Sequence, residues 1–262
     1  MKALLLAAGL GTRLKPLTDI WPKCLMPIKG RPLLEYWLDT LQKLSINDVI
    51  VNTHYFSEYV KEFIEQTQFK NRVSITYEDK LLGTAGTIRK NIDFFQNDNV
   101  LLVHADNWTS CNFSDFLDYH YNQRPKGTVM TMMTFTCPNP SSCGIVELDD
   151  RGVVTKIYEK NKLPPGELAN AAIYLLEPEV IKWIVDHPKI TDFSTEVLPQ
   201  FIGKIATWNN KYIHRDIGTF TELINAQKDS TPPLLNKSSN NIWYENVSYN
   251  NILGIINNVD AK

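Results

Sequence analysis

The stretch Leu6-Ala-Ala-Gly-Leu-Gly-Thr-Arg-Leu-Lys-Pro-Leu-Thr-Asp-Ile-Trp-Pro-Lys-Cys-Leu-Met-Pro27 decides how this chain is read. It grows out of an apolar run, Ala3 to Ala8, that has the pattern of a buried strand. Gly9 and Gly11 carry no Cβ, so the backbone is free to turn sharply and to approach a ligand closely. Exposed main-chain N–H groups in such a loop form an anion-binding concavity. Arg13 and Lys23 set two cations at its mouth, a combination that suits a triphosphate.

Two familiar phosphate loops do not match. A dinucleotide fingerprint needs a third glycine where this chain has Leu14, and it opens directly into a helix that Pro16 would obstruct. A Walker A loop needs Gly-Lys followed by Ser or Thr, whereas Lys23 stands between Pro22 and Cys24. What remains is Gly-Leu-Gly-Thr-Arg, then Pro-Leu-Thr, then Pro-Lys, then Pro27. This ordered set resembles the signature of the sugar-phosphate nucleotidyltransferases, also called nucleotide-sugar pyrophosphorylases. The resemblance implies a Rossmann-like three-layer αβα domain (GT-A-like) with a mixed, mostly parallel central sheet. It implies transfer of a nucleotidyl group from a nucleoside triphosphate to a sugar 1-phosphate, with Mg²⁺ as cofactor. Within the loop it assigns Leu6, Ala7, Ala8, Gly9, Gly11, Thr12 and Arg13 to the nucleotide, and Lys23 to the reacting phosphates.

Composition sets the bounds. The 262 residues suffice for one large α/β domain with a small extension, and 43% hydrophobic content supports an ordinary core. Lys and Arg total 27 against 29 Asp and Glu, a net charge of -2 that argues against a general nucleic-acid binder. No membrane span is visible, and the short N-terminal apolar run lacks a cleavage region, so a cytoplasmic protein is expected. The cysteines are Cys24, Cys111, Cys137 and Cys143; without an export signal a disulfide frame is not expected, and Cys24 reads as a small apolar packing residue.

Strand and helix patterns alternate through the first half. Strands are predicted over Lys2 to Ala8, Asp48 to Asn52, Val73 to Tyr77 and Asn99 to His104. Helices are predicted over Leu33 to Leu44, Ser57 to Gln66, Thr84 to Phe95 and Phe113 to Arg124. This rhythm predicts a mostly parallel sheet covered on both faces. The pattern then turns β-rich: Gly127 to Phe135, a hairpin of Gly144 to Leu148 and Val153 to Glu159 around Asp149-Asp-Arg-Gly152, and Leu168 to Leu176. Helices follow over Glu179 to Val185, Thr195 to Ile202 and Phe220 to Gln227. Residues 1–228 thus read as the catalytic domain. Residues 229–262, broken by Thr231-Pro-Pro233 and rich in Asn and Ser, read as a tail. Its Ile242, Trp243, Tyr244, Ile252, Leu253, Ile255 and Ile256 are expected to dock on the body or on another subunit of a homo-oligomer.

Other residues carry chemistry. Asp106 follows a strand at its C-terminal end, the edge that holds ligands in open parallel sheets. A carboxylate there suits Mg²⁺, though a loop Asp capping the next turn is the plain alternative. Asp216, in His214-Arg-Asp-Ile-Gly-Thr219, has N-capping as its plain reading, for which Thr219 is better placed. The resemblance assigns Asp106 and Asp216 together as metal ligands; His214 and Arg215 read as exposed loop residues. In Glu78-Asp-Lys-Leu-Leu-Gly-Thr-Ala-Gly86 the glycines permit close backbone approach, and Thr84 reads as a helix cap. The resemblance assigns Glu78, Gly83, Thr84 and Ala85 to the nucleobase, in a form nearest the mannose-1-phosphate guanylyltransferase branch, which favours GTP. It assigns Glu159, Lys160 and Asn170 to the sugar phosphate, with Ala172 standing where Gly is common. Thr195-Glu-Val-Leu-Pro199 resembles a segment near the sugar, while Glu196 also suits a solvent-facing position.

The expected function is therefore nucleotide-sugar synthesis, from GTP and a mannose- or heptose-type 1-phosphate. UTP, CTP or dTTP in the same reaction is the close alternative, and a non-catalytic nucleotide-sugar-binding regulatory subunit is the distant one. Leu14 and Pro16 argue against a dinucleotide-dependent oxidoreductase.

Overall fold

The computed structural model describes residues 1–159, 161–230 and 242–260. Lys160 and the Thr231-Pro-Pro233 break lie outside them. In chain order the strands are β1 (Lys2–Leu6), β2 (Pro27–Ile28), β3 (Arg31–Pro32), β4 (Val49–Thr53), β5 (Val73–Tyr77), β6 (Val100–His104), β7 (Asn107–Ser110), β8 (Met130–Thr136), β9 (Gly144–Leu148), β10 (Val154–Glu159), β11 (Leu168–Leu176), β12 (Ile205–Asn209) and β13 (Ile213–Asp216). The helices are α1 (Leu33–Lys43), α2 (Ser57–Gln66), α3 (Gly83–Lys90), α4 (Ile92–Phe95), α5 (Phe113–Asp118), α6 (Pro178–Asp186), α7 (Phe220–Lys228) and α8 (Val247–Asp260). The class is α/β, with a mixed sheet, as expected. None of the described helices is long and apolar enough to cross a membrane.

The chain forms two compact units. The first gathers Met1–Leu4, Leu82–Val103 and Cys111–Tyr212. Its strand order is β10-β9-β11-β6-β1, and β8 pairs with both β11 and β12. β11 runs antiparallel to β6 and β8, while β12 lies parallel to β8. The hairpin β9–β10 closes as its sequence predicts: Gly152 is left-handed, with φ +78°, and Asp149 Oδ1 accepts the N–H groups of Arg151 and Val153. Ile173, Tyr174, Leu175, Met132, Ile184 and Phe193 are fully buried in this unit.

The second unit gathers Leu5–Leu81, His104–Ser110 and the described residues of Ile213–Lys262. Here β4 and β5 pair in parallel, and every residue of β4 is buried, the mark of a strand covered on both faces. α1 buries Leu34, Trp37, Leu38 and Leu41, the stripe its spacing predicts. The tail adds its own aromatic core: Trp243 packs at 6.0 Å from Trp21, 4.9 Å from Phe63 and 4.6 Å from Tyr249. Ile252 and Ile256 are buried with them, and the Tyr244 hydroxyl donates to Glu35.

Several boundaries differ from the expectation. β1 ends at Leu6, two residues before Ala8. The helix predicted to Phe95 breaks at Asn91, and the one predicted to Arg124 ends at Asp118 in a π turn, Tyr119–Gln123. The segment 195–202 is a π turn, Phe193–Val197, and a 3₁₀ turn, Leu198–Phe201; Pro199 has no N–H to continue an α-helical ladder. β7, β12 and β13 are additions, two of them only four residues long and visible only through long-range pairing. Against the expected absence of disulfides, Cys137 and Cys143 are joined. Cys24 and Cys111 are free.

Candidate active site

The glycine loop leaves β1 and makes a single 3₁₀ turn, Thr12–Leu14, rather than a helix. Gly11 sits at φ +61°, and a Cβ there would come 2.7 Å from Thr18 Cγ2 and 3.4 Å from Lys23 Cβ. Thr18 returns a hydrogen bond from its hydroxyl to the Gly11 carbonyl at 2.8 Å. Gly11 is thus dictated by the loop's own packing, and it lets Lys23 close underneath. Gly9 is different: a Cβ there meets nothing within 4 Å, so the protein's own packing does not require glycine at that position.

Strands β7 and β13 bring the two aspartates together. Their antiparallel register sets Asp216 opposite Asn107, the residue after Asp106. The two sit 110 residues apart in sequence, counting from 106 to 216, yet Lys23 Nζ donates to both: 2.6 Å to Asp106 Oδ2 and 2.8 Å to Asp216 Oδ1. Arg13 Nη2 donates to the other Asp216 oxygen at 2.8 Å. Lys23 is only 7% exposed whereas Arg13 is 67% exposed, so one cation is a fixed floor and the other a rim group with freedom to reorient. Burial alone would lower the Lys23 pKa, but the charges of Asp106 and Asp216 outweigh it and raise the value. Partial burial pushes the Asp216 carboxyl up, yet Lys23 and Arg13 hold it below the usual carboxylate range. Cys24 is buried, and burial, followed by the Asp106 charge, pushes its thiol up to about 12; it is an inert packing residue, as read.

Neighbouring residues support this cluster. Arg13 and Asp216 lie close over Gly218: a Cβ there would come 2.6 Å from Arg13 Nη2 and 2.9 Å from Asp216 Oδ1, so a side chain would displace these two groups. The sequence reading passed over Gly218, although a glycine between Asp216 and a capping Thr219 is a signal of close approach. Thr219 does cap α7, accepting from Glu222 N at 3.3 Å. His214 and Arg215 are strand residues, not exposed loop. Arg215 donates to Asp229 at 2.6 and 3.1 Å and to Glu222 at 3.0 Å. Trp108 Nε1 also donates to Asp229 at 3.1 Å, so both strands of the β7–β13 pair are held at one carboxylate. His214 Nδ1 lies 2.9 Å from Thr109 Oγ1, and burial pushes the imidazole down to about 4 despite the nearby aspartates.

Also in this unit, the Glu78 side chain is buried, with its Oε1 accepting from Asn52 Nδ2. Asn52 Oδ1 in turn accepts the Ala7 N–H at 2.7 Å. Leu6, Ala7, Ala8 and Thr12 complete the loop backbone around Gly9 and Gly11.

The first unit assembles a second constellation, in which Thr84, Phe193, Tyr174 and Asn170 form an uncharged core. Gly83, at φ +74°, opens α3 against Thr191, whose carbonyl would lie 2.4 Å from a Cβ. That carbonyl accepts the Ala85 N–H at 2.9 Å. Thr84 does not cap the helix; its hydroxyl accepts the N–H of Phe193 at 2.6 Å. The Phe193 ring packs 4.8 Å from Tyr174, and the Tyr174 hydroxyl accepts from Asn170 Nδ2 at 2.7 Å. Asn170 Oδ1 accepts the Ala172 N–H at 3.0 Å, within a register shift of β11. Ala172 sits at φ +53°, the left-handed region where Gly is at ease. Glu159 folds its carboxylate over Gly144, where a Cβ would meet Oε1 at 2.6 Å. Glu196 does not face solvent idly: it accepts the N–H groups of Thr191 and Asp192 at 2.8 and 2.7 Å and so shapes the loop that receives Thr84 and Ala85.

The donor set of the charged cluster fits a divalent ion only in part. Asp106 and Asp216 share one cation already, the Lys23 ammonium, which shows that both carboxylates reach a common point. Among the described residues no group of three or more His, Cys, Asp or Glu is placed to hold a metal. Two carboxylates suit an ion that shares its remaining positions with phosphate oxygens and water, the habit of Mg²⁺.

The model of the Nucleotidyl transferase family matches residues 2–232. The mannose-1-phosphate guanyltransferase of Saccharomyces cerevisiae is 30% identical over 205 residues, covering 76% of this chain and 55% of that protein. The UTP–glucose-1-phosphate uridylyltransferase of Synechocystis is 30% identical over 221 residues, covering 77% and 55%. The chain spans about half the length of the curated relatives it matches. The crystal structure of HddC from Yersinia pseudotuberculosis complexed with GMP-PN shares the fold, with a TM-score of 0.72 at 23% identity over 87% of this chain and 98% of that one.

Proposed function

This chain belongs to the Nucleotidyl transferase family, and on that premise we propose that it joins a nucleoside triphosphate to a sugar 1-phosphate, forming a nucleotide sugar and pyrophosphate. The observation that carries this reading is the hydrogen-bonded cluster of Arg13, Lys23, Asp106 and Asp216 beside the glycine loop. A phosphate oxygen of the sugar phosphate attacks the α-phosphorus in line. The bond from α-phosphorus to the bridging oxygen breaks, and pyrophosphate leaves with that electron pair. Two anions must meet, so positioning and electrostatics supply most of the acceleration.

In this reading the cluster is a charge reserve. Arg13, exposed and free to turn, exchanges Asp216 for the β- and γ-phosphates and steadies the leaving pyrophosphate. Lys23, fixed below Gly11, holds the α-phosphate and the attacking phosphate. Asp106 and Asp216 would hold Mg²⁺, which supplies further neutralisation of phosphate charge when bound. The backbone of Leu6, Ala7, Ala8, Gly9, Gly11 and Thr12 cradles the phosphates, and Gly9 is glycine for the ligand's sake rather than the loop's. By the family resemblance, Glu78, Gly83, Thr84 and Ala85 would serve the base, and Glu159, Lys160 and Asn170 the sugar phosphate. GTP with a mannose- or heptose-type phosphate is favoured by the Leu82-Gly-Thr-Ala-Gly86 segment and by the guanyltransferase name of the yeast relative. The Synechocystis relative makes UTP with a glucose-type phosphate the second choice.

A matrix of nucleoside triphosphates against sugar 1-phosphates, read by Mg²⁺-dependent pyrophosphate release, tests this. GTP with a manno-configured phosphate is expected to lead. Nucleotide binding without pyrophosphate from any pair would point to a regulatory subunit instead.

A further inference from the structure

A buried amide joins the glycine loop to the segment that follows β5. Asn52 is the fourth residue of β4 and stands opposite Thr76 in the parallel β4–β5 pair. Neighbours in register point to the same face, and so does the residue two positions on, which is Glu78. The contacts bear this geometry out. Asn52 Nδ2 donates to Glu78 Oε1 at 2.9 Å, and Asn52 Oδ1 accepts the Ala7 N–H at 2.7 Å. Asn52 and Glu78 are buried, 3% and 1% exposed. The Glu78 N–H is tied back to the Thr53 carbonyl at 2.8 Å.

A carboxylate removed from water is tolerated only when hydrogen-bonded, and a main-chain N–H at the start of a phosphate loop must be aimed. A primary amide serves both needs, because its donor and acceptor lie on one rigid plane. Neither a serine hydroxyl nor an ionised aspartate in place of this amide offers that pair at the same span. We infer that Asn52 is a positioning residue for nucleotide binding, setting the register between the loop backbone at Ala7 and the Glu78 segment proposed to face the base. This rests on the nucleoside triphosphate reading of the site. Asn52 itself touches no reacting atom in this account and acts through its two partners.

The test compares the 262-residue chain with Asn52→Asp and Asn52→Leu, titrated with GTP, UTP, CTP and dTTP in turn, with Mg²⁺, from about pH 5.5 to about pH 8.5. The carboxyl introduced in N52D, when protonated, carries an O–H donor and a carbonyl acceptor, as the amide does. When ionised, it sets two buried carboxylates against each other. N52D is therefore expected to bind nearly as wild type at the acid end and about tenfold to a hundredfold more weakly at the alkaline end. N52L is expected to bind weakly throughout. His54, whose Nδ1 lies 2.8 Å from the Glu78 carbonyl, is common to all three proteins, so its part cancels in the ratio. Acid rescue of N52D separates positioning from simple loss of fold, which pH would not restore. An N52D profile parallel to wild type, or N52L binding as wild type, overturns the inference. A wild-type chain that binds no nucleoside triphosphate overturns the nucleotide reading, and this inference with it.

Discussion

The two constellations are built on opposite principles. In the second unit Arg13, Lys23, Asp106 and Asp216 form a cluster in which every side chain is charged. In the first unit Thr84, Phe193, Tyr174 and Asn170 are linked by hydroxyl, amide, backbone and ring contacts, with no charge among them. Charge acts at a distance and is indifferent to what bears the phosphate. Neutral donors and acceptors act only at contact and punish a mismatched partner. On the proposed function, rate would belong to the charged cluster and discrimination to the neutral one.

The largest effect should come from breaking the charged cluster. Arg13→Ala or Lys23→Ala is expected to cost at least ~10²-fold to 10³-fold in turnover with the fold retained, the usual loss for one preorganised electrostatic donor. Near-full activity in either variant would remove that residue from the mechanism. Tyr174→Phe, by contrast, should shift the ratio between sugar phosphates more than turnover on the best one.

Lys23 also separates catalysis from cation occupancy. Lys23→Met vacates the point both carboxylates share, so Mn²⁺ should bind more tightly without nucleotide than in wild type, as read by electron paramagnetic resonance. Equal affinity would mean that the ammonium and the metal do not compete.

A pH scan sharpens the comparison at the level of stability. Each unit holds a histidine of lowered pKa: buried His120, pushed down to about 4 by burial and then Arg124, and half-buried His214, pushed to about 4 by its loss of solvent. A folded value below the unfolded one of about 6.5 means full stability above that pH and progressive loss as pH falls toward the folded value. Melting temperature should therefore fall from about pH 6.5 to about pH 4, and His120→Gln with His214→Gln should flatten that limb. Asp216, also depressed, stabilises above about pH 3.9 and loses its contribution only below. Lys23, raised, loses its contribution only above about pH 10.4, so the charged cluster leaves mid-range stability flat. A limb unchanged in the double histidine variant would place the acid sensitivity elsewhere.

The smallest effect belongs to Ala172. Glycine at its left-handed position is expected to raise stability by about 1 kcal/mol or less, a melting shift of ~1–4 °C. A drop instead would mean that the methyl group packs usefully in the β11 bulge.

Much of this was legible in the chain. Runs such as Val49–Thr53 and stripes such as Leu34, Trp37, Leu38 and Leu41 name their own burial, because local periodicity reports a face. The glycine loop, the two cations and the hairpin at Asp149–Gly152 were readable for the same local reason. Roles written into side-chain identity alone fared less well. Thr84 looked like a cap and turned out to receive Phe193, and Glu196 looked optional yet holds two backbone donors.

By itself the order of residues determined the α/β class, the glycine loop and the residue types of the charged cluster. Only tertiary structure decided that Asp106 and Asp216 converge on Lys23, that Arg13 and Asp216 lie over Gly218, and that Asn52 couples Ala7 to Glu78. The physical reason is range. Helix, turn and strand preferences are set by neighbours a few positions away, whereas the four-residue pairing of β7 with β13 joins segments a hundred residues apart and leaves no periodic trace in either.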